Sequence, residues 1–392
     1  MSDLYTSIQS TLSDVSLFSP WVIILVILCI YMTIKTCIEF FNKRVISNGG
    51  FAFGLMKFAG LEKFGEYLSI WRNISSGITL ERGVMRFEYC VPEHLCHCHP
   101  DSGAYLDLAS VLALADEITT VLVVCKDKTF RPGVSVSLSG ELYCDDIKAG
   151  QHIIIEAFAT KIGGTLGFTE IYFTSIKDQL TLARATHVKY LKMGFIWDLV
   201  SPLIPLAIGL LDYYMKSFVE TKSISSADKP SMQSLLNVTP VDLMGSSHHV
   251  RSDKDSPVTG IGRKSRAIKS FSMISHPQLL NHGSFVHGGA LAMSIHESVI
   301  QYCVTNNLPS RRLRYMDVSY ISPCKGKVSI SVTPIPHIHK KLTQELTSTY
   351  TAKSDVVDSF RVVIKASSDG KHRKSKNSEY KVFVQALVIL YA

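Results

Sequence analysis

The sequence has no dense cysteine framework. Nine cysteines are scattered through 392 residues, too thinly for a secreted disulfide scaffold, and read as mostly free thiols on the reducing side of a membrane. It also has no zinc-finger spacing and no concentrated basic motif, which removes the usual signs of nucleic-acid binding. The net charge of +8 is mild for this length and fits anionic partners such as membrane phospholipid or a phosphorylated cofactor. A third absence is charge between Val15 and Ile34, "VSLFSPWVIILVILCIYMTI". These 20 residues match the hydrocarbon thickness of a bilayer. No Lys or Arg precedes the run, only Asp3 and Asp14, so a signal anchor fits better than a cleaved signal peptide. Lys35, Lys43 and Arg44 follow it, and the positive-inside rule then puts everything downstream in the cytosol. The sequons at Asn73 and Asn237 would there stay unmodified.

The length allows two domains, each with its own core. The expected organisation is a short tail over 1–14, an anchor over 15–36, a helical connector over 37–82 with an amphipathic helix from Phe51 to Arg72, a first block over 83–193, a linker over 194–264 and a second block over 265–392. The linker opens on an apolar run, Gly194 to Met215, that contains Asp198, Pro202, Pro205 and Asp212. Those residues are awkward in a spanning helix, and the run reads as lying on the protein or in the membrane interface. From Ser223 to Lys264 the composition is that of a partly flexible linker.

The two blocks are comparable and lie about 180 residues apart. Each begins with a strand-like run, "VMRFEYCVP" or "AIKSFSMIS". Each continues through a polar loop into one long apolar helix, "YLDLASVLALADEITTVLVVC" or "HGGALAMSIHESVIQYCVT". Strand-like runs complete each block, ending with "TLARATHVKYL" in the first. In the second they include "LRYMDVSYIS", "QELTSTYTA" and "KVFVQALVILYA". A helix that is hydrophobic all round must be buried on most sides. One such helix with about five strands predicts an α+β unit in which an antiparallel sheet wraps around the helix.

The second block's "NHGSFVHGGALA", followed by strands and "ISPCKGK", resembles the phenylacetyl-CoA thioesterase-like branch of hotdog acyl-CoA thioesterases. The first block's "DEITTVLVV…PGVSVSLSG…KAG…KIGGTLGF" resembles the later part of the same domain. The resemblance implies a tandem double hotdog with its active site between two hotdogs. There, one partner's Asn and the first Gly of His-Gly-Gly polarise the thioester carbonyl. The other partner's helix Asp and strand Ser hold and activate water. Oriented N–H groups at a helix N-terminus suit a developing oxyanion, and a carboxylate in an apolar setting is expected to have a raised pKa and act as a better base.

Carried over residue by residue, the second block supplies Asn281 and Gly288, but has His296 at the Asp position and Leu313 at the Ser position. The first block has Asp101 at the Asn position and Asp107-Leu108-Ala109 in place of His-Gly-Gly, yet supplies Asp116 and Ser135. The resemblance thus implies one complete site, Asn281 and Gly288 with Asp116 and Ser135, and one degenerate twin. Taken singly, Asn281 also suits a plain turn, Gly288 and Gly289 suit close packing, and His296 suits a partly buried, hydrogen-bonded histidine.

"CVPEHLCHCHPD", Cys90 to Asp101, reads as a loop near the twin, and its crowded spacing cannot easily wrap one tetrahedral ion. "KHRKSK", Lys371 to Lys376, reads as a solvated hairpin turn. The expectation is a membrane-anchored thioesterase taking acyl-CoA, with no cofactor and no metal and with Asp116 as base or nucleophile. The endoplasmic reticulum is favoured over the mitochondrion, and a homodimer of double hotdogs is allowed. The alternative is a non-catalytic acyl-CoA or lipid binder, or a scaffold.

Overall fold

The computed structural model describes residues 21–22, 24–26, 28–33, 36, 50–59, 63–99, 103–144, 147–210, 236, 238–240, 268–274, 277–281, 284–308, 312–335, 357–366 and 382–391. Asp101, the Lys371 to Lys376 run, the strand-like "QELTSTYTA" and most of Ser223 to Lys264 lie outside the described residues.

The helices that frame the fold are α1 (Gly50–Ala59), α2 (Lys63–Leu68), α3 (Leu108–Lys126), α4 (Phe195–Val200) and α5 (Gly288–Thr305). The earlier strands are β1 (Thr79–Glu81), β2 (Val84–Cys90), β3 (Cys96–His99), β4 (Gly103–Leu106), β5 (Val134–Leu142), β6 (His152–Ile162), β7 (Leu166–Ser175) and β8 (Thr181–Tyr190). The later ones are β9 (Thr239–Pro240), β10 (Lys269–Ile274), β11 (Arg312–Tyr320), β12 (Lys327–Ile335), β13 (Val357–Ala366) and β14 (Val382–Tyr391).

Twelve strands form one sheet in the order β1-β2-β6-β7-β8-β5-β11-β14-β13-β12-β10-β9, every pair antiparallel. The order repeats: β2, α3, β5, β6, β7, β8 along the chain match β10, α5, β11, β12, β13, β14, and both sets lie in the sheet in the same sequence of neighbours. The halves join where β5 pairs with β11, from Tyr315 opposite Glu141 to Ser319 opposite Ser137. Alternate burial along β6 and β7 turns one face of each strand to the core. Both sheet edges end in short strands, which limits their use as templates for other chains.

An antiparallel sheet around a long helix is the hotdog arrangement expected from the sequence. α3 has 17 of its 19 residues buried, as an all-round apolar helix requires. It is the one described helix long and apolar enough to cross a membrane, and its burial marks it as core. Asp107 caps its N-terminus, accepting from the Ser110 N–H at 2.7 Å. Beyond its end, Asp127 gathers Arg131 at 2.6 Å and Thr129 at 2.8 Å into a turn. α5 packs directly on α3. A Cβ on Gly289 would stand 2.8 Å from Ala113 Cα, so glycine lets the two backbones approach.

Two expectations are corrected. The single amphipathic helix from Phe51 to Arg72 is instead α1, α2 and a 3-10 turn over Ile70–Arg72. Four glycines between 50 and 65 lower its helical propensity, and Ser69, at φ 53°, ends α2 in a left-handed turn. The Cys90 to Asp101 stretch is not a plain loop: β3 pairs with β4 as a separate hairpin. Of the uncharged 15–34 run, the described residues between 21 and 33 are helical and exposed.

Candidate active site

Burial makes Asp116 costly unless it is paired, and it is paired on both oxygens. From α3 its Oδ1 accepts from Ser135 Oγ at 3.0 Å, with His187 Nε2 at 3.4 Å and Lys189 Nζ at 3.9 Å. Its Oδ2 accepts from the Gly289 N–H at 2.8 Å and stands 2.9 Å from His287 Nδ1. The other His287 nitrogen lies 3.0 Å from Glu117 Oε2. One imidazole therefore sits between two adjacent carboxylates.

These charges settle the protonation states. Burial alone would lower the His287 pKa, but Asp116 and Glu117 lift it to about 10. A protonated imidazole has no lone pair to give. The Gly289 N–H, 3.4 Å from His287 Nδ1, therefore goes to Asp116, so a carboxylate from α3 caps the N-terminus of α5. Burial would raise Asp116, but the His287 and Lys189 cations outweigh it and hold the carboxyl well below the usual range. The raised carboxylate pKa expected from the apolar sequence context is thus overturned by cations brought in from other elements.

Ser135 owes its aim to a β-bulge. The β5–β8 register slips between Ser135 and Ser137, re-aiming the strand. β11 slips at the equivalent place, between Leu313 and Tyr315, and Leu313 is buried there instead. His187 and Lys189 follow on β8. Burial first, then Lys189, push the His187 pKa down to about 3, so its ring is neutral. Its Nδ1 lies 2.7 Å from Thr119 Oγ1 and its Nε2 3.0 Å from Ser135 Oγ. With Asp116 ionised, Ser135 donates to it and Nε2–H of the neutral His187 donates to Ser135, while the single Thr119 hydroxyl proton is shared between His187 Nδ1 and the Ala115 carbonyl.

Gly288 belongs to the same cluster. A Cβ there would meet Asp116 Oδ2 at 2.9 Å, Ser135 Oγ at 3.3 Å and Tyr320 Cζ at 3.4 Å, while Tyr320 Oη donates to the Gly288 carbonyl at 2.8 Å. Three of the four residues singled out in the sequence, Asp116, Ser135 and Gly288, therefore share one place. The fourth, Asn281, lies in the turn leading to α5. Its Oδ1 accepts from the Phe285 N–H at 3.2 Å. Phe64 of α2 lies over His287, ring centroids 4.9 Å apart. Sequence reading missed His187, Lys189 and His287 as partners of Asp116. Two polar residues on the inward face of an otherwise apolar strand were the available signal.

The twin repeats the pattern with the roles exchanged. His296, nine residues after the His287 cap, points at the N-terminus of α3, with Nδ1 3.2 Å from Asp107 Oδ2. Burial opposes the charged forms, yet the pair holds His296 above and Asp107 below their ordinary pKa values. Cys96, His97, Leu313 and Arg312 line the small cavities around it. Among the described residues no group of His, Cys, Asp and Glu is arranged to hold a metal ion.

The close contact at Gly289 carries a stability prediction. Gly289→Ala pushes α3 and α5 apart and costs about 1–3 kcal/mol, measured by urea unfolding. Unchanged stability would show that the helices yield freely.

No family model matches the chain. A segment of 78 residues is 35% identical to acyl-coenzyme A thioesterase 13 of Homo sapiens and 33% identical to that of Mus musculus, and covers 20% of this chain. The chain spans about half the length of these curated relatives, 54%. Among solved structures, the 12:0-ACP thioesterase from Umbellularia californica aligns over 80% of this chain and 99% of its own, at 9% identity and TM-score 0.44. Thioesterase superfamily member2 from Mus musculus aligns over 35% and 95%, at 22% identity and TM-score 0.29.

Proposed function

We propose that the chain is a membrane-anchored acyl-CoA thioesterase, built from two hotdog units, with one composite site per molecule. The observation that carries this reading is the meeting of Asp116 and Ser135, from the first block, with the N-terminus of α5 at Gly288 and Gly289, from the second. The similarity to acyl-coenzyme A thioesterase 13 supports the reaction class. A fatty acyl chain fits the anchor, which would hold the enzyme where amphiphiles partition. The hotdog units would face the cytosol, most simply at the endoplasmic reticulum, and two chains could pair as a dimer of double hotdogs.

In the proposed reaction a water held by Ser135 and Asp116 attacks the thioester carbonyl. Asp116 takes its proton. The oxyanion is met by the Gly288 N–H and the Asn281 amide, with the α5 dipole behind them. On collapse the C–S bond breaks, and coenzyme A leaves as a thiolate that regains the proton. A carboxylate with a depressed pKa is a weak base, so its contribution comes mainly from position and from the field it imposes on the water.

The test is hydrolysis of a panel of acyl-CoAs by the full chain in detergent micelles, followed by thiol release. Turnover is expected, and it should change by no more than about twofold in His296→Gln, which alters the twin and leaves the Asp116 cluster alone. A chain that binds acyl-CoA without releasing thiol would support the non-catalytic reading instead.

A further inference from the structure

The stretch from Phe195 to Leu210 takes no part in the chemistry above. We propose that its outward face is a membrane-surface contact, lying among the headgroups and first acyl carbons of a bilayer and setting how the molecule rests on it. This rests on the anchor reading given under the proposed function.

The inner side of the stretch is fastened to the protein. Trp197 Nε1–H donates to the Thr129 carbonyl at 2.9 Å, and Ser201 and Ile208 are buried. Ile208 Cγ2 would stand 2.8 Å from a Cβ on Gly54, so the stretch seats directly on α1. The outer side is apolar and open: Phe195 is 81% exposed, Ile196 76%, Leu210 53% and Leu203 49%. Asp198 is the one charged residue between Gly194 and Leu210. Exposed Met193 and Tyr190 precede it in the chain, and Val134, also exposed, pairs with Tyr190 across β5 and β8. Exposed apolar residues concentrated in one short segment in this way mark an interaction surface.

Two features favour a bilayer as the occupant. α1 begins 15 residues after the uncharged run ends, a separation that spans no more than about 50 Å. α1 is also the element that touches Ile208. The patch is therefore attached to the element that follows the uncharged run most closely in the sequence. One fixed apolar face with few charges is the pattern of an interfacial segment rather than a span, and Asp198, Pro202 and Pro205 are tolerable there. Exposed Lys192 at its start suits anionic headgroups.

The experiment uses the full chain in phosphatidylcholine–phosphatidylserine vesicles doped with a phosphatidylcholine that carries a photoreactive diazirine near the start of its acyl tail. Adducts are mapped by mass spectrometry. The expected result is adducts on Phe195, Ile196, Leu203 or Leu210 as well as on 15–34. The triple variant Phe195→Glu, Ile196→Glu, Leu203→Glu should lose the former and keep the latter. Adducts confined to 15–34 would overturn the proposal and leave the anchor standing. Adducts on neither segment would overturn the anchor reading together with it.

Discussion

Asp116→Asn lowers thiol release from acyl-CoA by about a thousandfold or more, with most of the loss in kcat. The substitution is nearly isosteric, so it tests charge rather than shape. The Asn oxygen can still accept from Ser135, which occupies the Oδ1 position at 3.0 Å. The new NH2 then faces the Gly289 N–H, formerly bonded at 2.8 Å, and two donors oppose each other. That mismatch costs about 1–3 kcal/mol of stability, so thermal unfolding of the variant must accompany the assay. A folded variant that turns over at the normal rate would remove Asp116 from the mechanism. Ser135→Ala serves as a milder companion, because it removes the relay's last hydroxyl while the carboxylate keeps its charge.

His287→Ala is expected to cost about 3–5 kcal/mol of stability, because it leaves two buried carboxylates facing each other without their shared cation. His287→Gln, which keeps a donor, should recover part of the loss. The pH dependence separates charge from packing. The folded pKa of His287 is raised from 6.5 to about 10. Its contribution is therefore complete below about 6.5, the pKa of the unfolded chain, and is lost as pH rises through about 10. Asp116 acts in the opposite direction: its folded pKa is depressed, so its contribution holds above 3.8 and is lost as pH falls below that value. Wild-type urea midpoints should decline on the alkaline side across that window, and His287→Gln should flatten the decline. An identical slope in both proteins would mean that His287 is not charged in the folded state.

Both long helices were readable because each is apolar on nearly every face, and the strands because their residues alternate. The pairing of β5 with β11, which joins two halves 170 or more residues apart in the chain, was not legible, because the repeat shows two like units and not which strands join them. The rest is long-range. Nothing local announces that β5 will bulge after Ser135, yet that slip aims its hydroxyl at Asp116. Nor does the chain around Asp116 reveal that a histidine more than 170 residues later will stand 2.9 Å away. The neighbouring Leu and Ala residues alone predict a raised carboxyl pKa, and the cations that reverse it come from β8 and the start of α5.

The exchange of Asp and His between the helices has a consequence for assembly. In α3 the cap and the residue nine positions on are both Asp, and in α5 both are His. Crossing the two helices gives two attractive pairs, Asp116 with His287 and His296 with Asp107. Crossing α3 with a copy of itself would instead set Asp107 against Asp116 twice, in a dry setting. Two first halves therefore repel where two dissimilar halves attract.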